Sequence, residues 1–331
     1  MTGRREFLSF GLAGLLAPSL MSRTAFSESK YPDRPIRLII PFPPGGGFDA
    51  VGRQWADRMK PLLGKVVVEN QGGGGGSLGG ASVARATPDG YTILLGGSNT
   101  HIAEAILKKR PLYNPLKDLE PILNLAISAF ALVVNPAVPV QSLKELIDYA
   151  KANPRKLSSY GAAGVGSLNH LTGELFKSLT KTRDIVHVPY RGSGPAITDA
   201  VRGQILLITP AVTARVLELH RTGKLRILAV TSPARLVAAP DVPTAVEAGV
   251  PGMISFQLIG LFAPNGTPKA IIDQIGQASR TVLADPTFQK ILLNSGFAPD
   301  IDSSAEKLAR FIDEDIARWG ALVKEIGLKI D

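Results

Sequence analysis

The chain has 331 residues, 45% of them hydrophobic and 20% charged, with a formal net charge of +9 and no cysteine. That length suggests about two domains with a substantial core, and the missing cysteine excludes disulfides, thiolate metal sites and attachment through a lipidated N-terminal Cys. The positive charge is scattered, with no Lys/Arg run interleaved with aromatics, so nucleic acid is not an expected partner and the surface has only a mild attraction for acidic ligands.

Residues 1–27 read as a twin-arginine-type signal peptide. Arg4-Arg5-Glu6-Phe7-Leu8 precedes an apolar stretch over residues 10–21 that is short for a membrane span, and Ala25-Phe26-Ser27 offers small residues for cleavage. The chain is therefore expected to be exported, periplasmic and not a lipoprotein; a membrane anchor is the competing reading.

The run Ile36-Arg37-Leu38-Ile39-Ile40 reads as a buried strand, and Phe48, Val51, Trp55, Met59 and Leu62 follow at helical spacing. Between them lies Pro41-Phe42-Pro43-Pro44-Gly45-Gly46-Gly47-Phe48-Asp49. Glycines there let the backbone approach a ligand, and the helix start offers free N–H groups to an anion. No Lys-Ser or Lys-Thr follows, so this is not a nucleotide P-loop; a plain strand-to-helix turn stays open beside the anion site. Residues 65–69 form a second strand. The glycine run at residues 72–76 satisfies G-x-G-x-x-G trivially at Gly74, Gly76 and Gly79, and no acid follows at the ribose-binding distance, so it reads as a loop with Ser77 capping the next helix. A strand over 91–95 leads to Gly96-Gly97-Ser98-Asn99-Thr100, whose polar residues suit either helix capping or ligand contact.

Residues 130–135 read as a strand, and Ser142-Leu143-Lys144-Glu145 as a capping box opening a helix. A strand over 157–160 runs into Gly161 through Ser167, and a helix begins near Ser167, repeating the strand, glycine turn and helix start of the opening stretch. Two such loops facing each other would hold a carboxylate, or both ends of a dianion. Further strands fall over 185–190, 205–209 and 225–231, and a long one over 255–263 that could cross between lobes. The last helix starts at the capping box Ser303-Ser304-Ala305-Glu306. The β-α-β-α order predicts an α/β fold with mainly parallel sheets.

These motifs carry a family likeness. Pro41 through Asp49, Val68-Glu69-Asn70, Pro88-Asp89-Gly90-Tyr91-Thr92, Asn169-His170-Leu171, His187-Val188-Pro189-Tyr190-Arg191-Gly192, Pro240-Asp241-Val242-Pro243-Thr244 and Ala263-Pro264-Asn265-Gly266-Thr267-Pro268 run in order over nearly the whole chain. The sequence resembles the extracytoplasmic solute receptors of tripartite tricarboxylate transporters, the TctC or Bug family. The resemblance implies a two-lobed periplasmic binding protein fold of type II-like form, with residues 28–131 and 257–331 in one lobe and 132–256 in the other. It implies a small carboxylate ligand held in the cleft, no cofactor, no metal, and membrane subunits of the transporter as partners. A periplasmic sensor domain is the alternative partner, and a monomer is expected. The ligand loops map to Phe42, Gly45, Gly46, Gly47, Phe48 and Asp49 and to Gly164, Gly166 and Ser167, with His170, Tyr190, Ser98 and Asn99 as side-chain candidates. Asp49 is expected to cap the helix or fix the loop rather than touch an anion.

The sequence departs from the family where an acid usually follows Gly203-Gln204: residues 205–210 hold none. An aromatic or aliphatic carboxylate is therefore expected in preference to an amino acid, whose ammonium would want an acid nearby. His101 could reach a carboxylate or lie on a helix surface, and Arg191 could pair with a distal carboxylate or be a surface residue. An exported hydrolase or isomerase is the weaker alternative: His101, His170, His187 and His220 show no metal-ligand spacing, and no G-x-S-x-G frame is present.

Overall fold

A computed structural model describes residues 31–328, so the expected signal peptide lies outside the described residues. Among the described residues no helix is long and apolar enough to cross a membrane. The first lobe opens with β1 (Ile36–Ile40), buried except at Arg37, and α1 (Gly47–Leu63), which lays Phe48, Val51, Trp55 and Met59 on the sheet. Then come β2 (Val66–Asn70), a 3₁₀ turn (Gly74–Gly76), α2 (Ser77–Ala84), β3 (Thr92–Gly97) and a π-helical turn (Asn99–Ala103) that runs into α3 (Glu104–Leu107). β4 (Leu119–Ala129) carries the chain toward the second lobe. That lobe holds β5 (Ala131–Val134), α4 (Leu143–Ala152), β6 (Ser159–Ala163), α5 (Leu168–Thr180), β7 (Val186–Tyr190) and α6 (Ser193–Val201). It continues with β8 (Leu207–Ile208), α7 (Ala214–Arg221) and β9 (Arg226–Val230). The chain returns through β10 (Phe256–Pro264) and ends with α8 (Lys269–Ala284), α9 (Pro286–Asn294), β11 (Phe297–Pro299) and α10 (Ala305–Ile326).

Two sheets form the two lobes, one six-stranded in the order β11-β4-β10-β3-β1-β2, the other five-stranded in the order β7-β6-β8-β5-β9. The two-lobed α/β fold agrees with expectation, but the sheets are mixed rather than mainly parallel. β1 pairs parallel with β2 and β3, whereas β10 is antiparallel to both β3 and β4, and β5 is antiparallel to β8 and β9. The cause is the crossing: β4 leaves the first lobe and β10 returns beside it, so the two must run in opposite directions. Thr231 ties the crossings together. Its Oγ1 accepts the Phe130 N–H at 3.0 Å and donates to the Ser255 carbonyl at 2.6 Å, and its own N–H donates to the Phe130 carbonyl at 2.9 Å.

β4, the longest strand, has no counterpart in the sequence reading, because Pro121 and Asn124 interrupt its apolar run. The structure uses that interruption. Asn124 Oδ1 accepts the Ile259 N–H at 3.1 Å, the Asn124 N–H donates to Ser303 Oγ at 2.7 Å, and the β4–β10 register shifts beside them. Ser303 is thereby occupied, and α10 is capped one residue later, by Ser304 accepting the Lys307 N–H. The cap expected at Ser77 is also displaced: Gly76 is the N-cap of α2, and Ser77 Oγ donates to the Gly74 carbonyl and to Glu104. One hydrophobic cluster spans both lobes. Leu168 and Leu171 of α5 pack with Leu308, Ile312 and Trp319 of α10.

Candidate ligand site

The first wall of the cleft is the loop after β1. Gly45 sits at φ +87°, a region that L side chains enter only with strain. Asp49 holds the loop from behind: its carboxylate accepts the Gly45 N–H, Arg53 Nε and Asn70 Nδ2, each at 3.0 Å, and Asn70 Nδ2 also reaches the Phe42 carbonyl at 2.9 Å. Burial works to raise the Asp49 pKa, but the hydrogen bonds from Arg53, Gly45 and Asn70 outweigh it and hold the carboxyl below its ordinary value. Asp49 thus fixes the loop, as its position suggests. No side chain caps α1, and the N–H groups of Gly47, Phe48 and Asp49 meet no acceptor among the described residues. The Phe42 and Phe48 rings stack at 5.0 Å beside them.

The facing wall comes from β6, α5 and α6. Gly164 and Gly166 take φ of +42° and +82°. Ser167 caps α5, accepting the His170 N–H at 3.2 Å and donating to the Ala163 carbonyl. His170 Nδ1 accepts the Gly166 N–H at 3.1 Å, and its ring stacks on His187 at 4.0 Å. Burial, with Lys177 nearby, lowers the His170 pKa to about 4; burial, then His170 itself, lowers that of His187 to about 3. Both rings are neutral at pH 7. Asn169 Nδ2 donates to the Thr209 carbonyl at 2.9 Å and to Ser193 Oγ at 3.3 Å, at the start of α6, which also has no side-chain cap.

Between the walls lies an inner pocket of about 30 Å³, lined by Gly46, Gly47, Asn99, Asn169, Ser193 and Gln257 among others. It opens past Phe42, Pro43 and Ala163 into an outer cavity of about 890 Å³. Asn99 bridges the lobes: Oδ1 accepts the Leu168 N–H at 2.7 Å, and Nδ2 donates to Gln257 Oε1 at 3.3 Å. Among the described residues no Asp or Glu lines either cavity, and no group of His, Cys, Asp or Glu could hold a metal ion.

Of the residues singled out in the sequence, Phe42, Gly46, Gly47, Phe48, Asn99, Gly164 and Tyr190 line the cleft. Asp49, Gly166, Ser167 and His170 stand one layer behind as supports, and Gly45 is an exposed loop residue held through its N–H by Asp49. Ser98 is a buried strut whose Oγ accepts the Leu258 N–H at 2.8 Å. His101 is neither at the ligand nor on a helix surface: it is buried against Phe262 at 3.8 Å, and burial lowers its pKa to about 3. Arg191 lines the outer cavity. The sequence reading missed Asn169, Ser193 and Gln257 as cleft residues. Ser193 had a signal, lying at a glycine-flanked helix start; Gln257 has none, since only the β10 crossing brings it to α1.

The family described as Tripartite tricarboxylate transporter family receptor, TctC, matches residues 51–328. Protein BugT of Bordetella pertussis is 35% identical over 320 residues, 96% of this chain and 95% of that protein. The structure of R. palustris Rpa4515 with adipate is similar at a TM-score of 0.86 and 32% identity, covering 90% of this chain and 99% of that one. MatC from Rhodopseudomonas palustris with bound malate is similar at 0.83 and 32% identity, covering 88% and 100%. The chain belongs to the receptor family of the tripartite tricarboxylate transporters.

Proposed function

We propose that this chain is a periplasmic receptor that captures a small carboxylate between its lobes and delivers it to the membrane subunits of a tripartite tricarboxylate transporter. One observation carries the reading: the uncapped first turns of α1 and α6 meet at a pocket lined by the amides of Asn99, Asn169 and Gln257, with no acid among the lining residues. Unpaired N–H groups and neutral amides suit an anion and need no metal. The solved relatives named above were bound to adipate and to malate, both carboxylates. The role is binding rather than catalysis, because no nucleophile and base are assembled in the pocket. Export follows the twin-arginine route through residues 1–27, where Arg4-Arg5 precedes the apolar run.

Residues 28–131 with 257–331, and residues 132–256, act as the two lobes. A carboxylate seated on the α1 loop recruits Asn169 and Ser193 from the other side, and its contacts to both lobes favour the closed form. Amino acids are disfavoured, because nothing acidic meets their ammonium. A thermal-shift panel of carboxylates and amino acids tests this. A ligand at one hundred times its Kd stabilises the folded state by about 2.7 kcal/mol, a shift of several degrees. Carboxylates are expected to shift the midpoint; tight binding of glutamate or aspartate, or a flat response to every carboxylate, would overturn the reading.

A further inference from the structure

α5 leaves the second wall of the cleft with a row of polar side chains, His170, Glu174 and Lys177, spaced i, i+4 and i+7 along one face. At the start of the row His170 Nδ1 accepts the Gly166 N–H at 3.1 Å, so this ring sets the turn of that wall. Glu174 Oε1 lies 3.8 Å from His170 Nε2, too far for a hydrogen bond but close enough for its charge to act on the ring. Lys177 Nζ donates to both Glu174 oxygens at 2.9 Å. Tyr160 Oη, on β6, lies 2.9 Å from Glu174 Oε1 and 3.0 Å from the His170 carbonyl, with one proton for the two acceptors. The His187 ring of β7 stacks on His170 at 4.0 Å.

The Glu174 and Lys177 side chains are 16% and 14% exposed, so salt screens their charges little. A carboxylate so placed beside an imidazole draws a second proton onto the ring, and the ammonium opposes this. Burial, then Lys177, lowers the His170 pKa to about 4. The charged and titratable groups turned to this ring are Glu174 and Lys177 on its own helix, Tyr160 on β6 and His187 on β7; Arg183, after α5, and Glu325 of α10 line the pocket outside Lys177. An imidazolium would carry a proton on Nδ1 and meet the Gly166 N–H donor against donor. Two donors cannot share that contact, so the turn would have to move.

We propose that Lys177 is a positioning residue for ligand capture: by answering the charge of Glu174 it leaves His170 Nδ1 free to accept the Gly166 N–H, and so fixes the second wall of the cleft. Lys177 itself lines neither the inner pocket nor the outer cavity. Removing the ammonium alone leaves the ring beside a bare carboxylate, whereas removing both charges leaves it undisturbed. The inference rests on the carboxylate reading above for what the wall binds, while the geometry of the wall can be read without ligand.

The test is nitrogen NMR of His170 between about pH 5 and pH 8, with calorimetric titration of adipate and malate at about pH 6 and pH 8. It compares wild type, Lys177→Met, Lys177→Arg and the double variant Lys177→Met with Glu174→Gln. In wild type the ring is expected to stay neutral throughout, with its proton on Nε2. In Lys177→Met it should become imidazolium by about pH 6, and the Gly166 amide signal should shift with it. Relative to wild type, carboxylate affinity in that variant should be roughly tenfold weaker at the lower pH than at the higher. Lys177→Arg should behave as wild type. The double variant should regain the neutral ring and the wild-type pH response, which a merely structural loss at Lys177 would not allow. A Lys177→Met protein whose His170 stays neutral down to about pH 5, that loses affinity equally at both pH values, or that Glu174→Gln does not rescue, would overturn the proposal. No binding of either acid by wild type would count against the carboxylate reading instead, and the His170 and Gly166 signals would still decide the role of Lys177.

Discussion

Asn99 Oδ1 accepts the backbone N–H of Leu168 at 2.7 Å, joining the turn after β3 to the first turn of α5 across the cleft. That N–H is among the donors a helix start cannot satisfy internally. Here Asn99 takes it, so the bond exists only while the two lobes are together. Asn99→Ala is expected to leave it buried and unpaired when the lobes close, a cost of roughly 1–3 kcal/mol. Ligand affinity should fall about tenfold or more, chiefly through faster release. Stopped-flow dissociation checks this, and an unchanged release rate would remove the latch from the account.

Asp49 makes the first loop conditional on a charge. Its folded pKa is depressed, so its contribution is present above the unfolded value near 4 and is lost as pH falls through the folded value. Asp49→Asn should destabilise the protein by about 1–2 kcal/mol at pH 7. The gap between wild type and variant should close below about pH 4. Urea midpoints against pH read this directly, and a gap that persists into acid would show that the loop does not depend on the carboxylate.

The neutral histidines predict a second slope at higher pH. The folded pKa values of His170, at about 4, and of His101 and His187, at about 3, lie below the unfolded value near 6.5. The unfolded chain then binds more protons than the folded one between these limits, so stability is complete above about pH 6.5 and declines as pH falls toward 4. His170 accepts the Gly166 N–H at Nδ1, so its proton is on Nε2. Nitrogen NMR at pH 6 should show that tautomer. An Nδ1-protonated or imidazolium His170 would contradict the loop support assigned to it.

Much of this site can be read from sequence, because a strand followed by glycines and a helix start is a local pattern. Pro41 through Asp49 and Gly161 through Ser167 each announce their conformation without reference to the rest of the chain. Gln257 joins them only through the crossing of β10, which no local pattern encodes, whereas Ser193 lies at a glycine-flanked helix start and Asn169 follows the Ser167 cap, local positions that do not by themselves say which way a side chain faces. β4 is hidden for a related reason: Asn124 and Pro121 look like breakers, yet Asn124 serves a register shift that exists only once β10 lies alongside. His101 resembles a ligand residue by its neighbours Ser98 and Asn99, but the π-helical turn rotates it into the core.

Glycines in the exposed first loop and in the core should respond differently to substitution. A Cβ on Gly45 meets nothing within 4 Å, so Gly45→Ala pays only for its φ of +87°, about 1–2 kcal/mol. A Cβ on Gly97 would meet the Leu258 carbonyl oxygen at 1.9 Å with φ +151°. Backbone must move there, and a loss above about 4 kcal/mol, or failure to fold, is expected for Gly97→Ala. Equal denaturation midpoints for the two variants would contradict the close β3–β10 approach.

The most direct test of the central claim is a crystal structure of the protein with the carboxylate that gives the largest thermal shift. The account predicts a carboxylate in the inner pocket, its oxygens within hydrogen-bond distance of the first-turn N–H groups of α1 and of Asn169 or Ser193 on the other lobe. A ligand bound to one lobe alone, or seated outside the cleft between β6, α5 and the loop after β1, would contradict it.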